Sequence, residues 1–248
     1  MTRSKNSAYR SNLVGGVLVL GLALALGANT GSAQERYRHG EQVISLTGGS
    51  LGDGKALLTM PYDRPSAVVI LMPGGDGDVG LSDDGTIARD GNWIVRTRGR
   101  YAAAGIASLL LDAGTDPSVA IRAMRQIAPN VVLVAMSRGA TRVPPALSAG
   151  PDAVVFASSM LDDVRQTVGS PDALPPSLVI HHRRDDCRVT HFDMVEPFMA
   201  WASSRARLVW IDGGSSRGNP CRGQAYHGFI GREDAVVTAI IAFVKEKR

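Results

Sequence analysis

Asn130-Val-Val-Leu-Val-Ala-Met136, followed at once by Ser137-Arg138-Gly139-Ala140, is the stretch on which the fold turns. After Asn130 the run is wholly apolar and β-branched-rich, with no polar alternation. A strand buried on both faces of a parallel sheet reads this way. The serine that follows has small neighbours two residues away on either side, Ala135 and Gly139. A sharp strand-to-helix turn needs them, because its backbone crowds itself there, and G-x-S-x-G meets the need. Here Ala stands where the first Gly would be. Such a turn lifts the serine hydroxyl above the sheet and aims the Arg138 N–H and a helix N-terminus at an oxyanion. The same residues also read as a plain N-cap after a strand. Pro144-Pro145 lie just beyond. Proline costs about 3 kcal/mol in a helix interior, so the helix after Ser137 is expected to be short or kinked.

Outward from this point, short apolar runs alternate with helix-like stretches. The runs are Val43–Leu46, Ala56–Met60, Ala67–Met72, Ile106–Leu111, Val131–Met136, Ala153–Ala157, Leu178–His181 and Leu208–Ile211. Helical spacing marks Asn92–Ala104, Pro117–Ile127, the stretch after Ser137, Phe192–Arg205 and Glu233–Lys247. In the last of these Val236, Val237, Ile240, Ile241 and Val244 form one stripe. The alternation predicts an α/β fold: a doubly wound, mostly parallel sheet of about eight strands with helices on both faces. Ligands bind such sheets beyond the carboxyl ends of the strands, so the residues that follow each strand are the ones to inspect.

Ala67–Met72 runs into Pro73-Gly74-Gly75-Asp76-Gly77-Asp78-Val79-Gly80. Gly75 to Gly80 fits G-x-G-x-x-G literally, which after a strand suggests a dinucleotide site. Asp76 and Asp78 would set two negative charges where the pyrophosphate lies, and Ser82-Asp83-Asp84-Gly85 opens no helix. A flexible turn is the plain alternative. The loop reads better as half of an oxyanion hole, with the N–H of Gly75 or Asp76 as donor.

Two further strand ends carry chemistry. Leu178–His181 leads to His182-Arg183-Arg184-Asp185-Asp186-Cys187, where an aspartate can hold a histidine tautomer. Spacing from the strand favours Asp185 over Asp186, and a loop carboxylate paired with Arg183 or Arg184 is the bland alternative. His227, in Gln224-Ala-Tyr-His-Gly-Phe229, follows the final strand and precedes the last helix. Nucleophile, acid and base then come in the order Ser…Asp…His. His39, His181, His182 and His191 read as structural or solvated, His182 being the next candidate. Arg96, Arg98 or Arg138 could hold an anionic substrate group, although exposed helix arginines are commonplace.

Arg3, Lys5 and Arg10 precede an apolar run from Leu13 to Leu26, and Gly31-Ser32-Ala33 supplies small residues. Residues 1–33 are therefore expected to be a signal peptide, cleaved before Gln34, with export to the periplasm or beyond. The apolar run is short for a retained anchor of about 20 residues, so no membrane association is expected after cleavage. Of the +4 formal charge, three basic residues lie in that segment and no acidic one does, leaving the remainder near +1. No basic block interleaved with aromatics remains, which argues against a nucleic-acid partner. The other 215 or so residues suit a single domain. Cys187 and Cys221, an even pair in an exported chain, read as a disulfide, with two buried thiols as the alternative. No C-x-x-C or H-x-x-x-H spacing suggests a metal.

These elements together resemble the α/β-hydrolase superfamily, over nearly all of the chain after residue 33. The likeness is greatest to small exported bacterial members without a large cap. It rests on Asn92 to Arg96, Ser137 to Gly139, His181 to Cys187 and Tyr226 to Phe229. The resemblance implies a Ser137–Asp185–His227 hydrolase with no cofactor, acting on a small-molecule substrate. It leaves open esters, thioesters, lactones and peptides, so dienelactone-hydrolase-like and peptidase activities stand as alternatives. A non-catalytic periplasmic binding protein on the same fold is a further one. On this placement a Cys187–Cys221 bridge would tie the acid loop to the base loop. The segment between Met160 and Pro176 is too short for a lipase cap, and Ala135 and Pro144-Pro145 leave room for a weakened enzyme.

Overall fold

The computed structural model describes residues 40–246. The expected signal segment and His39 lie outside these residues. Eight strands form one sheet in the order β1-β2-β4-β3-β5-β6-β7-β8. They are β1 (Glu41–Gly49), β2 (Gly52–Thr59), β3 (Ala67–Met72), β4 (Ile106–Leu111), β5 (Asn130–Met136), β6 (Ala153–Ala157), β7 (Ser177–His182) and β8 (Ala206–Ile211). β2 runs antiparallel to both β1 and β4, and every other pairing is parallel.

Six α-helices among the described residues accompany the sheet: α1 (Trp93–Thr97), α2 (Pro117–Met124), α3 (Val143–Ala146), α4 (Leu161–Val168), α5 (Val195–Ala202) and α6 (Glu233–Glu246). Alternate residues of each central strand feed opposite cores. Val131, Leu133 and Ala135 pack with Ile121 of α2, Val143 of α3, Leu161 of α4 and Phe198 of α5. Val132, Val134 and Met136 pack with Trp93 and Ile94 of α1 and Ile240 of α6. Both faces are covered, which is why the strands read as unbroken apolar runs.

The helices are more broken than their periodicity suggests, for local reasons. The expected Asn92–Ala104 helix is α only to Thr97 and continues as 3-10 over Arg98–Ala104. Pro197 lacks the N–H that an α-helix beginning at Phe192 would need there. That stretch therefore splits into 3-10 (Phe192–Met194), α5 and 3-10 (Ser203–Arg205), with Pro197 inside the first turn of α5. After Ser137 comes 3-10 helix to Arg142, and the Pro144-Pro145 pair then falls in the first turn of the four-residue α3. Between Met160 and Pro176 lie only α4 and the 3-10 turn Pro171–Ala173. None of the helices among the described residues is long and apolar enough to cross a membrane.

Topology brings two loops together. β3 connects onward to β4 on one side, while its other neighbour β5 connects to β6 on the far side. This reversal opens a crevice at the carboxyl ends of β3 and β5. Their parallel register, Ala67 opposite Asn130 through Met72 opposite Ala135, makes the Pro73 loop and the Ser137 turn emerge side by side.

Candidate active site

Ser137 adopts φ 53°, a left-handed conformation that a non-glycine residue seldom takes. Such strain persists only where the surroundings over-determine it, and here they do. The Ser137 N–H donates to Ser158 O at 3.1 Å, and Met160 N–H donates to Ser137 O at 3.2 Å. A Cβ on Gly139 would lie 2.4 Å from Met72 O, and one on Gly74 would lie 2.8 Å from the Ser137 Cβ. Both positions therefore need glycine. Ala135 does not: its methyl is fully buried in the core on the α2 side of the sheet. The first small position of the turn tolerates Ala because its side chain points away from the crowded backbone.

The Pro73 loop is organised by its own aspartates. Asp78 N–H donates to Asp76 Oδ1 at 3.1 Å, and Gly80 N–H donates to Asp78 Oδ1 at 2.7 Å. Asp112, just past β4, accepts from the N–H groups of Val79 and Leu81 at 2.8 and 3.1 Å. Arg89 pairs with Asp78 at 2.6 Å and reaches Asp76 at 3.6 Å. The carboxylates that spoil a pyrophosphate site are thus loop-building groups, and Gly75 bends the chain at φ 70°.

Asp185 is fully buried and Asp186 is exposed. The Asp185 carboxylate accepts from Cys187 N–H at 3.0 Å and from the Thr190 hydroxyl at 3.2 Å. His227 Nδ1 lies 3.0 Å from Asp185 Oδ2, and His181 Nε2 lies 3.4 Å from the same oxygen. Burial alone would raise the Asp185 pKa. Hydrogen bonds from His181 and His227 outweigh it and hold the carboxyl well below the usual carboxylate range. A carboxylate can only accept, so Nδ1 of His227 carries its proton and Nε2 is left as the basic nitrogen. Thr190 Oγ1 also lies 3.0 Å from that Nδ1, closing a three-membered network.

His227 sits in the 3-10 turn Tyr226–Gly228. Three backbones meet there without side chains between them. A Cβ on Gly228 would lie 2.2 Å from Gly223 O, and one on Gly223 would lie 2.0 Å from Gly91 O. Phe229, buried edge-on against Trp93 at 5.6 Å, closes the turn. Cys187 and Cys221 are joined, which ties the Asp185 loop to the loop before His227. The ligand-capable atoms of Asp185, Cys187 and His227 fall within 4.8 Å of one another. The sulfur is bonded to Cys221, however, and offers no thiolate to a metal.

Ser137 and His227 line one cavity of about 820 Å³, together with Gly75 and Asp76. Other sequence candidates are placed elsewhere. His182 stacks on Tyr226, contacts Gly213 O through Nε2 at 2.9 Å and accepts from Arg184 N–H at Nδ1. Burial pushes its pKa down, and both nitrogens serve the backbone. His191 caps a 3-10 turn. Arg96 binds Glu233 at 2.8 Å, and Arg98 binds Glu41 at 3.0 Å. Arg138 is exposed and does not line the cavity, so only its backbone N–H, next to Ser137, remains a candidate contact. Thr190, His181 and the cavity arginines Arg217 and Arg222 were not legible as site residues in the sequence.

No family model matches the chain. No curated protein matches it by sequence. Solved structures do match in fold. A lidless α/β serine hydrolase from Xanthomonas campestris is 15% identical with a TM-score of 0.58, covering 80% of this chain and 94% of that one. The dienelactone hydrolase of Anabaena variabilis is 17% identical at a TM-score of 0.59, over 82% and 95%. Carboxyl esterase 2 from Tuber melanosporum is 13% identical at 0.59, over 89% of each chain. The chain has the α/β-hydrolase fold.

Proposed function

We propose that this protein is an exported serine hydrolase that cleaves an ester-type bond through Ser137, His227 and Asp185. One observation carries the reading. A buried Asp185–His227 pair, with Nδ1 3.0 Å from the carboxylate, opens onto the same cavity as a serine held in a strained turn. Structural neighbours described as esterases and serine hydrolases favour the same class. The Cys187–Cys221 bridge suits an oxidising compartment, secreted or periplasmic.

In the first half-reaction Ser137 Oγ attacks the carbonyl carbon while His227 Nε2 takes the hydroxyl proton. The carbonyl electron pair moves onto oxygen, where the N–H of Arg138 and that of Gly75 or Asp76 stabilise it. The bond to the alcohol oxygen breaks as that oxygen takes the proton from His227. Water then attacks the acyl-enzyme, giving its proton to His227, and the acid leaves as Ser137 is reprotonated. Asp185 stays ionised throughout and stabilises the imidazolium. A lactone is a cyclic ester that the same steps would open, and the dienelactone hydrolase neighbour makes lactones the next substrates to try.

The test is turnover of short 4-nitrophenyl esters by the wild type and by Ser137→Ala. Hydrolysis that falls by at least about 10³-fold in the variant supports the reading, given the scale of nucleophile removal. Wild type that turns over neither esters nor lactones would leave a binding protein on a hydrolase fold.

A further inference from the structure

The cavity shared by Ser137 and His227 has an uneven charge. Five charged residues line it: Asp76, Asp78, Arg89, Arg217 and Arg222. On the Pro73 side the two aspartates are compensated by Arg89 and by their own loop N–H groups. Arg217 and Arg222, from the segment 217–224, form no ion pair with an acidic residue among the described residues. The sequence between Asp212 and Glu233 contains no Asp or Glu at all.

The loop that carries these two arginines is tied down. Arg217 N–H donates to Gln224 O at 2.9 Å, Arg222 N–H to Asn219 O at 3.0 Å, and Ala225 N–H to Arg222 O at 3.0 Å. Cys221, next to Arg222, is bonded to Cys187. Gly223, its other neighbour, rests directly on the Gly91 backbone. Two arginines therefore line the cavity from a stapled loop that ends at His227. Guanidinium forks pair with oxyacid anions through paired N–H donors, and a pre-organised loop spares part of the ordering cost of binding.

We infer that the site takes an anionic ester, with a carboxylate on the substrate bound between Arg217 and Arg222. This rests on the hydrolase reading above and deepens it, naming the class of substrate. Of the arginines named from the sequence for such a role, Arg96 and Arg98 are occupied by Glu233 and Glu41, and Arg138 does not line the cavity. Arg217 and Arg222 take their place.

Two matched pairs of esters test it. Mono-4-nitrophenyl glutarate against 4-nitrophenyl valerate places the charge on the acyl side. 4-Acetoxybenzoate against phenyl acetate places it on the leaving group. The expected result is a preference of about tenfold or more in kcat/KM for the charged member of at least one pair, the scale of one charge-assisted contact. That preference should shrink towards unity in Arg217→Gln/Arg222→Gln and with rising ionic strength. It should persist in Arg122→Ala, which removes an exposed arginine from α2, away from the cavity. No preference in either pair, or one that survives the double variant, overturns the inference while leaving the hydrolase reading intact. If no ester is hydrolysed, the hydrolase reading fails. Calorimetry then reads the subsite through glutaric acid monoanilide against valeranilide. Binding of the anion alone, lost in the double variant, supports the subsite, and equal or absent binding of both overturns it.

Discussion

Reducing the Cys187–Cys221 bridge should disable the site before it unfolds the protein. The bridge spans 34 residues of sequence. Closing a loop of that length contributes about 4 kcal/mol in the chain-entropy estimate. Domains of this kind have about 5–15 kcal/mol in total, so the reduced protein remains folded at ambient temperature with a lower denaturation midpoint. Neither cysteine belongs to a strand or an α-helix. Cys187 does donate its N–H to Asp185, and its carbonyl accepts from Thr190 N–H at 2.9 Å. Freed, these loops lose the geometry that holds Asp185 on His227, and a displacement of about 1 Å near the chemistry costs on the order of 100-fold. Circular dichroism and ester turnover followed through the same titration with a phosphine reductant make the assay. Activity is expected to fall by one to two orders of magnitude while helix content stays level. Parallel loss of both signals, or full activity in the reduced protein, would refute the role assigned to the bridge.

Other consequences are equally open to measurement. Asp185→Asn should lower kcat by about 10⁴-fold with little change in KM, because it fixes the wrong histidine tautomer; a loss under tenfold would contradict the assignment. The Asp185 pKa is depressed in the fold, so its contribution to stability is complete above the ordinary carboxylate pKa of about 4 and is lost as pH falls below it. Denaturation midpoints taken from neutral to strongly acidic pH should therefore fall less steeply in Asp185→Asn. Thr190→Val keeps the volume but removes the hydroxyl bonded to Asp185 and His227, and should cost about tenfold in kcat, on the order of one hydrogen bond to a charged group. Gly139→Ala forces a methyl against Met72 O and should destabilise by about 1–3 kcal/mol or more, whereas Ala135→Gly, which restores the commoner motif, should leave kcat unchanged.

The sheet could be read from sequence because strands buried on both faces have no alternation to misread, as Val131 to Met136 shows. Helix boundaries could not be read so well. Pro197 and the change to 3-10 geometry at Arg98 act on single hydrogen bonds, which an apolar stripe does not register. Ser137, Asp185 and His227 stood out because each follows a strand. Thr190 and His181 did not, since their roles depend on contacts across a loop of irregular spacing. The same limit explains the arginines. Arg96 and Arg98 are neutralised by partners 137 and 57 residues away, and Arg217 and Arg222 line the cavity from a loop that the Cys187–Cys221 bridge ties down.

The central claim is that Ser137 is a nucleophile activated by His227. Reaction with a fluorophosphonate, followed by peptide mapping in a mass spectrometer, tests it most directly. A single adduct on the peptide that carries Ser137, absent in Ser137→Ala and formed far more slowly in His227→Ala, is the predicted result. An unlabelled wild type, or labelling at Ser137 that is indifferent to His227, would contradict it.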